Sequence, residues 1–140
     1  MSENIIIIGA SHAGISCAEQ LRHLGFSGAI TLIDRLVGAP LERPPLSKSY
    51  LISQSADDDK FLLRRPEWYE KFQVTMIDGM AVTQIDPAAH QLQLAEGQTM
   101  AYGKLVLATG AVPRQLQPAA GLGGVHVLRN PDDAAALRNA

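Results

Sequence analysis

Apolar positions in the first 35 residues fall into three runs, and each run predicts one element of structure. The run Asn4–Ile8 contains four consecutive isoleucines, which is typical of a strand buried on both faces of a parallel sheet. Apolar and small residues then recur with helical spacing over residues 12–24, and Gly25 stands where a helix C-terminal glycine belongs. The apolar run Ala29–Ile33 predicts a second strand. Together these runs predict a βαβ unit with a buried, central first strand.

Proline and polar residues interrupt the pattern after this unit. Residues 38–48, GAPLERPPLSK, contain three prolines, which excludes a regular helix or a central strand and predicts an ordered surface loop. A short helix is expected over residues 47–52. The acidic stretch 53–60 predicts a solvated excursion, and Pro66 marks the first turn of another short helix.

The period changes from helical to alternating in the second half of the chain. After a short strand at residues 74–77, three alternating segments are separated by DPAAH and AEGQ, and they predict a three-stranded antiparallel meander. The segments are residues 81–85, 90–94 and 99–106.

The end of the chain contains two further strand-like runs and a helix. The meander's last strand is expected to continue into a buried strand at residues 105–107 and to turn at Thr109-Gly110. Residues 124–128 predict a strand, and Asn130 with Pro131 begins a helix. The pattern therefore predicts one α/β domain, a central parallel sheet with an inserted three-stranded antiparallel meander.

Composition narrows the classes of partner. The chain has 140 residues, of which 46% are hydrophobic and 19% charged, with a formal net charge of -2. Because no basic excess is present, we expect no nucleic-acid partner. No apolar run approaches the length of a membrane span, and no signal peptide is recognisable. We therefore expect a cytoplasmic protein without membrane contact.

Cysteine and histidine provide no metal or dithiol chemistry. Cys17 is the only cysteine, which excludes an internal disulfide and a Cys-x-x-Cys site within this chain. The four histidines have no metal-ligand spacing. We predict no metal site.

The segment GASHAG, residues 9–14, matches the dinucleotide-binding pattern G-x-G-x-x-G with Ser11 in place of the second glycine. The first glycine allows the tight turn, and the third allows the helix to pack closely on the strand. Because backbone N–H groups and the helix dipole hold the phosphates, no particular side chain is required at position 11. Asp34, at the end of the second predicted strand, would accept hydrogen bonds from a ribose.

Two questions stay open on the residues alone. The glycine-rich turn could be only structural, and a nucleotide bound there could be NAD or FAD. An NAD-binding domain normally continues with strand–helix alternation, whereas this chain has a proline loop and a meander.

Five segments together resemble the NAD(P)H-dependent ferredoxin reductases of oxygenase systems, the putidaredoxin and rhodocoxin reductase type. They occur in that family's order, and the resemblance extends over essentially all 140 residues. The resemblance implies a Rossmann-like FAD-binding domain, the N-terminal part of a pyridine nucleotide-disulfide oxidoreductase-like flavoprotein. The segments are IIIIGASHAG, LRHLGFSGAITLI, RPPLSKSYL, LVLATGAVPR and VLRNPDDAAALR.

The resemblance implies FAD as the cofactor and a set of residues around it. Asp34 and Arg35 would lie around the adenosine ribose, and the backbone of Val82 would contact the adenine. Lys48 would lie near the isoalloxazine, where a cation stabilises the anionic reduced flavin. Arg43 would lie along the FAD and Arg129 near the domain junction, although each of these four cations could instead be an ordinary solvated side chain. The residues implied at the pyrophosphate are Gly9, Ala10, Ser11, Ala13, Gly14, Ala108, Thr109 and Gly110.

The implied activity is electron transfer from NAD(P)H through FAD to a ferredoxin. No cysteine pair follows the second strand, so a one-electron carrier is the expected acceptor. The chain departs from the family at Ser11, at Leu41 where an aromatic residue is frequent, and in length. Because the NAD-binding and C-terminal domains are absent, we expect a fragment that does not turn over alone. The alternative is a stand-alone FAD or adenine-nucleotide binding module without catalysis.

Overall fold

The predicted βαβ unit is present in a computed structural model that describes residues 3–53, 58–119 and 121–140. Strand β1 spans Asn4–Ile8, helix α1 spans His12–His23 and strand β2 spans Ala29–Ile33. The two strands pair in parallel, with Ile5 opposite Ile30. The predicted order of strand, helix and parallel strand is confirmed.

A four-stranded parallel sheet is the centre of the first of two compact units, which comprises residues 1–40 and 63–110. Strand β3 is Val74–Ile77, and β7, the last strand of the chain, is Lys104–Leu107. The strand order is β3-β2-β1-β7. Strand β1 is therefore central, and its Ile6 and Ile7 are almost fully buried.

The two faces of this sheet have separate cores. On one face, α1 and helix α3, Pro66–Lys71, contribute Ile15, Ala18 and Trp68 to a core with residues of β1 and β2. On the other face, a second sheet packs Leu92 and Leu94 against Ile6 and Ile33. This antiparallel sheet consists of β4, β5 and β6, which are Val82–Asp86, Gln91–Leu94 and Thr99–Ala101. The α/β class with an inserted three-stranded meander is confirmed.

The second unit, residues 41–62 and 111–140, contains short helices. The proline loop forms a 3₁₀ turn at Pro44–Ser47, followed by helix α2 at Ser49–Ile52. Helix α4, Pro131–Arg138, begins with a capping box in which Asn130 and Asp133 exchange side-chain to backbone hydrogen bonds. Buried residues of this unit are Leu46, Tyr50 and Ala134. The rest of the secondary structure there consists of 3₁₀ turns at Asp58–Phe61 and Gln117–Ala119.

The acidic excursion predicted over residues 53–60 falls mostly on residues 54–57, which lie outside the described residues. None of the helices within the described ranges is long and apolar enough to cross a membrane.

The prediction of one strand over residues 99–106 is wrong. Tyr102 N–H still donates to His90 O of the meander, but Gly103 N–H donates to the side-chain oxygen of Asn4 at the start of β1. The chain thus leaves one sheet and enters the other within two residues. Only Tyr102 and Gly103 separate the two strands, so the sequence pattern joins them into one segment.

Two further strand predictions also need correction. Residues 105–107 form a strand but not a buried one, because β7 is at the edge of the sheet and Leu107 is 63% exposed. Residues 124–128 form no strand. Val125 and Val127 are exposed there and pair with no strand within the described residues, and an unpaired strand has no ladder to stabilise it.

The guanidinium of Arg22 connects three segments that meet at the amino ends of β2 and β3. Its three nitrogens donate to the carbonyl oxygens of Phe26 at 2.6 Å, Gly28 at 2.7 Å, Phe72 at 2.7 Å and Gln73 at 2.9 Å. Gln73 has a left-handed backbone with φ of 48°, which disfavours a side chain with a Cβ. Arg22 therefore bonds the connection before β2 to the connection before β3.

We predict that Arg22→Lys lowers the free energy of unfolding by about 1–3 kcal/mol, because an ammonium cannot donate to four carbonyls in this planar arrangement. Urea denaturation of the 140-residue chain measures the change. Arg65→Lys is the matched control, since Arg65 is exposed and should change stability by less than about 0.5 kcal/mol. Equal effects of the two substitutions would contradict the role given to Arg22.

Glu19 on α1 bonds to two residues that precede or begin α3. Arg64 Nη2 donates to Glu19 Oε2 at 2.8 Å, and Trp68 Nε1 lies 3.4 Å from Oε1. The hydrogen bond from Arg64 holds the pKa of the Glu19 carboxyl below its usual 4.5, against the opposing effect of partial burial. The side chains of Arg64 and Glu19 are 35% and 24% exposed, so their ion pair has the modest strength of a surface pair.

We predict that Glu19→Gln costs about 0.5–1 kcal/mol of stability at neutral pH, and that this cost disappears in acid. A carboxyl whose pKa is lowered in the folded state stabilises the fold above its unfolded pKa, and that stabilisation is lost as pH falls through the folded pKa. Thermal unfolding from pH 7 down to pH 3 tests the prediction, with the exposed Glu70→Gln as control. A difference from wild type that stays constant over this range would refute it.

Candidate functional site

Three stretches of predicted site residues follow directly after strands of the parallel sheet. Gly9 follows β1, Asp34 follows β2 and Ala108 follows β7. Because β1, β2 and β7 are parallel neighbours, their carboxyl ends meet at one edge. Ligands of open α/β sheets bind at that edge.

Gly9 is the point of closest approach among these strand ends. Its N–H donates to Ile33 O of β2 at 2.7 Å, and its φ of 104° is one that residues with a Cβ rarely adopt. A Cβ at this position would overlap the carbonyl group of Ala108. A Cβ at Gly14 would likewise overlap the carbonyl oxygen of Gly9. The first and third positions of the fingerprint therefore require glycine on steric grounds.

Ser11, at the second position, has a different environment. Its φ of -94° and ψ of -167° lie in the extended region that any residue adopts. Ser11 is the N-cap of α1, but its hydroxyl makes no capping hydrogen bond. Serine therefore replaces the usual glycine without backbone strain.

The first turn of α1 presents backbone N–H groups at the same edge. The helical ladder begins with Ile15 N–H donating to Ser11 O at 3.0 Å, and the amides before Ile15 have no helical acceptor. Ala13, in this turn, is exposed. Unpaired amides at the positive end of a helix dipole are suited to bind an anion such as a pyrophosphate.

Asp34 points its carboxylate at the backbone of two neighbouring segments. Oδ2 accepts the N–H of Ala10 at 2.7 Å, and Oδ1 accepts the N–H of Leu36 at 3.0 Å. Ala10 is only 1% exposed. The adjacent Arg35 is exposed. The spacing of residues in the sequence could not show that both carboxylate oxygens bond to backbone.

The segment after β2 pairs with the segment after β3. Asp34 N–H donates to Ile77 O and Asp34 O accepts the N–H of Met80, each at 2.9 Å. Gly79 N–H donates to Leu36 O at 2.9 Å. Val82, the first residue of β4, follows two residues after Met80, which bonds to Asp34. Thr109 and Gly110 are exposed after β7.

The three other predicted site residues lie in the second unit and are described within it. Arg43 is partly buried, and its carbonyl accepts the N–H of Leu46 at 3.0 Å. Lys48 is exposed at the junction between the 3₁₀ turn and α2. Arg129 donates its backbone N–H to Asp133 Oδ2 at 2.7 Å, at the start of α4. The structure thus brings the predicted pyrophosphate and adenosine residues together in one unit and the three cations into the other.

No group of three or more histidine, cysteine and acidic side chains with metal-binding geometry occurs in the part of the chain that the structure describes. Cys17 is a free thiol, partly buried on α1.

The sequence profile of one family matches residues 3–140, almost the whole chain. The chain belongs to the pyridine nucleotide-disulphide oxidoreductase family. It is 42% identical over 135 residues to rhodocoxin reductase of Rhodococcus erythropolis. The alignment covers 96% of this chain and 31% of that protein. The predicted family is thereby confirmed.

Solved structures agree with this assignment. The ferredoxin reductase for the CYP199A2 system from Rhodopseudomonas palustris superposes with a TM-score of 0.88 at 37% identity, over 99% of this chain and 34% of the other. Putidaredoxin reductase in its covalent complex with putidaredoxin gives a TM-score of 0.86 at 34% identity, over 97% and 33%. These similarities confirm the Rossmann-like fold. The chain spans about a third of the length of these relatives.

We predict that Gly9→Ala and Gly14→Ala each lower the free energy of unfolding by more than about 2 kcal/mol, because each new Cβ overlaps a carbonyl group. Ser11→Gly should change it by less than about 1 kcal/mol, since the backbone there is already in an ordinary conformation. Urea denaturation measures all three. Gly123→Ala is the control, because a Cβ there meets no atom within 4 Å. A loss on Ser11→Gly as large as on Gly9→Ala would contradict the steric ranking.

Proposed function

We propose that this chain is the FAD-binding portion of a flavoprotein reductase that passes electrons from NAD(P)H through FAD to a ferredoxin. The observation that carries the proposal is the turn of residues 9–14 at the carboxyl edge of a parallel sheet, followed by amides in the first turn of α1 that have no helical acceptor. Family membership supports the flavoprotein reductase, and the names of the relatives, which include ferredoxin reductases, support a ferredoxin as its electron acceptor.

The pyrophosphate of FAD is proposed to bind at the turn that joins β1 to α1. The residues present fit this group, because a dianionic pyrophosphate needs donors and the turn offers amides that precede the helical ladder. Ala108, Thr109 and Gly110 would border it, since Gly9 approaches Ala108 closely. Gly9, Ala10, Ser11, Ala13 and Gly14 form the turn itself.

The adenosine and flavin ends are assigned to different parts of the chain. Asp34, Arg35 and Val82 lie on the adenosine side in this proposal. Arg43, Lys48 and Arg129 are proposed for the flavin side, and Lys48 would place a positive charge near the isoalloxazine. Bound FAD would accept a hydride and release its electrons singly, which is chemistry that no side chain supplies.

A ferredoxin is favoured over a disulfide substrate as the electron acceptor. Cys17 is the only cysteine of the chain, and exchange with a disulfide substrate requires a pair of thiols. The chain spans about a third of the relatives, and we assign nicotinamide binding and ferredoxin docking to none of its residues.

A second candidate is a stand-alone FAD or adenine-nucleotide binding module without turnover. The observation that favours it is that Gly9, Asp34 and Ala108 all lie within one compact unit, residues 1–40 and 63–110. The two candidates share the nucleotide site and differ in whether bound flavin is reduced.

We predict that the 140-residue chain binds FAD and binds FMN at least tenfold more weakly, because only FAD carries the ADP half for which the turn is proposed. Quenching of flavin fluorescence measures both, and ADP should compete with FAD. Added NADH should leave the flavin spectrum unchanged. Equal affinity for FMN would exclude the turn as the site, and bleaching by NADH would exclude the module without turnover.

A further inference from the structure

We propose that Asp34 is a positioning residue, whose carboxylate holds the phosphate-binding turn at Ala10 and makes no contact with the ribose. This inference rests on the proposed function, since it assigns a role within the same nucleotide site. It departs from the role that the sequence pattern predicts, a direct hydrogen bond to the ribose.

The first argument is the direction of the Asp34 carboxylate. Oδ2 is 2.7 Å from the nitrogen of Ala10 and Oδ1 is 3.0 Å from that of Leu36, so each oxygen already accepts one hydrogen bond. Bonds from N–H groups to a carboxylate are stronger than those between neutral groups. Turning the carboxylate towards a ribose would break the bond to Ala10 and leave a nearly fully buried amide unpaired, which is costly. Each oxygen retains a second lone pair, and the comparison of ADP with its deoxy analogues measures whether a ribose hydroxyl bonds to it.

The second argument is that the backbone of Asp34 is itself fixed. Its N–H donates to Ile77 O and its carbonyl accepts the N–H of Met80, each at 2.9 Å. The side chain therefore extends from a rigid continuation of β2, and a side chain on a rigid support holds its partner within a narrow range of geometry. Movement of the turn relative to β2 is restrained at two points, by Asp34 at Ala10 and by Ile33 O at Gly9.

The third argument concerns the amides left for the ligand. The bond to Asp34 engages the N–H of Ala10 and the bond to Ile33 engages that of Gly9. The donors that remain begin at Ser11 and continue into the first turn of α1. Asp34 thus orients the amides that would bind phosphate without contacting the nucleotide.

The test is a thermodynamic cycle between Asp34 and the ribose hydroxyls. Calorimetry measures the affinity of wild type and Asp34→Ala for ADP, 2′-deoxy-ADP and 3′-deoxy-ADP. We expect Asp34→Ala to weaken all three ligands by the same factor, about tenfold. If wild type binds ADP more tightly than a deoxy ligand and the variant binds both equally, Asp34 contacts the ribose directly and the proposal is overturned. Undiminished affinity for ADP would also overturn it.

Asp86 provides the matched control. Its Oδ1 accepts the N–H groups of Ala88 and Ala89, each at 2.9 Å, in the turn between β4 and β5. Asp86→Ala removes the same kind of bond away from the strand ends, and it should leave every nucleotide affinity unchanged. If Asp34→Ala does not fold, Asp34→Asn replaces it, because an amide retains one acceptor oxygen. Its smaller loss should again be equal for the three ligands.

A measurement without nucleotide separates this inference from the proposed function. Amide hydrogen exchange of Ala10 should quicken about tenfold in Asp34→Ala and stay unchanged in Asp86→Ala. Unchanged exchange at Ala10 would overturn the positioning role whatever the ligand. Wild type that binds neither ADP nor FAD, with faster exchange in the variant, would instead refute the proposed function alone.

Discussion

The close approach of three strand ends at Gly9 is the constraint on which the site depends. Gly9 N–H bonds to the end of β2, and its Cα faces the carbonyl group of Ala108 after β7 without space for a Cβ. Gly14 then lets α1 pack against the carbonyl of Gly9. Any side chain at either glycine would separate β1 from β7 or the helix from the turn. The packing of the turn thus requires glycine at both positions.

The steric requirements explain why Ser11 is compatible with the family's fold. In the general description of this fingerprint, the second glycine lets the backbone approach a pyrophosphate, which is a requirement of the ligand. The backbone of Ser11 is extended, so the fold itself accepts serine there. A departure from the motif therefore has to be judged position by position, from the dihedral angles and the nearest atoms. Packing within the protein requires glycine at the first and third positions and does not require it at the second.

The sequence predicts elements well where burial dictates the pattern and poorly where the pairing partner decides. Strands β1, β2 and β3 lie at their predicted bounds because each is a short run of mainly apolar and β-branched residues. The segment 99–106 divides at Tyr102 because Tyr102 bonds to His90 of the meander, whereas Gly103 bonds to Asn4 of the parallel sheet. The site shows the same limit. Spacing locates Gly9, Gly14 and Asp34, whereas the direction of the Asp34 carboxylate depends on atoms distant in the chain.

Arg22 and Asp34 solve the same problem at opposite ends of β2. Before β2 and β3 begin, the cation Arg22 donates to four carbonyl oxygens of the loops that lead into these strands. Where β2 ends, amides lack partners, and the anion Asp34 accepts two. A carboxylate beside a phosphate site would repel the ligand if it were free to turn towards it. The N–H groups of Ala10 and Leu36 hold the carboxylate in place, so they oppose its rotation towards the anion that the turn is proposed to bind.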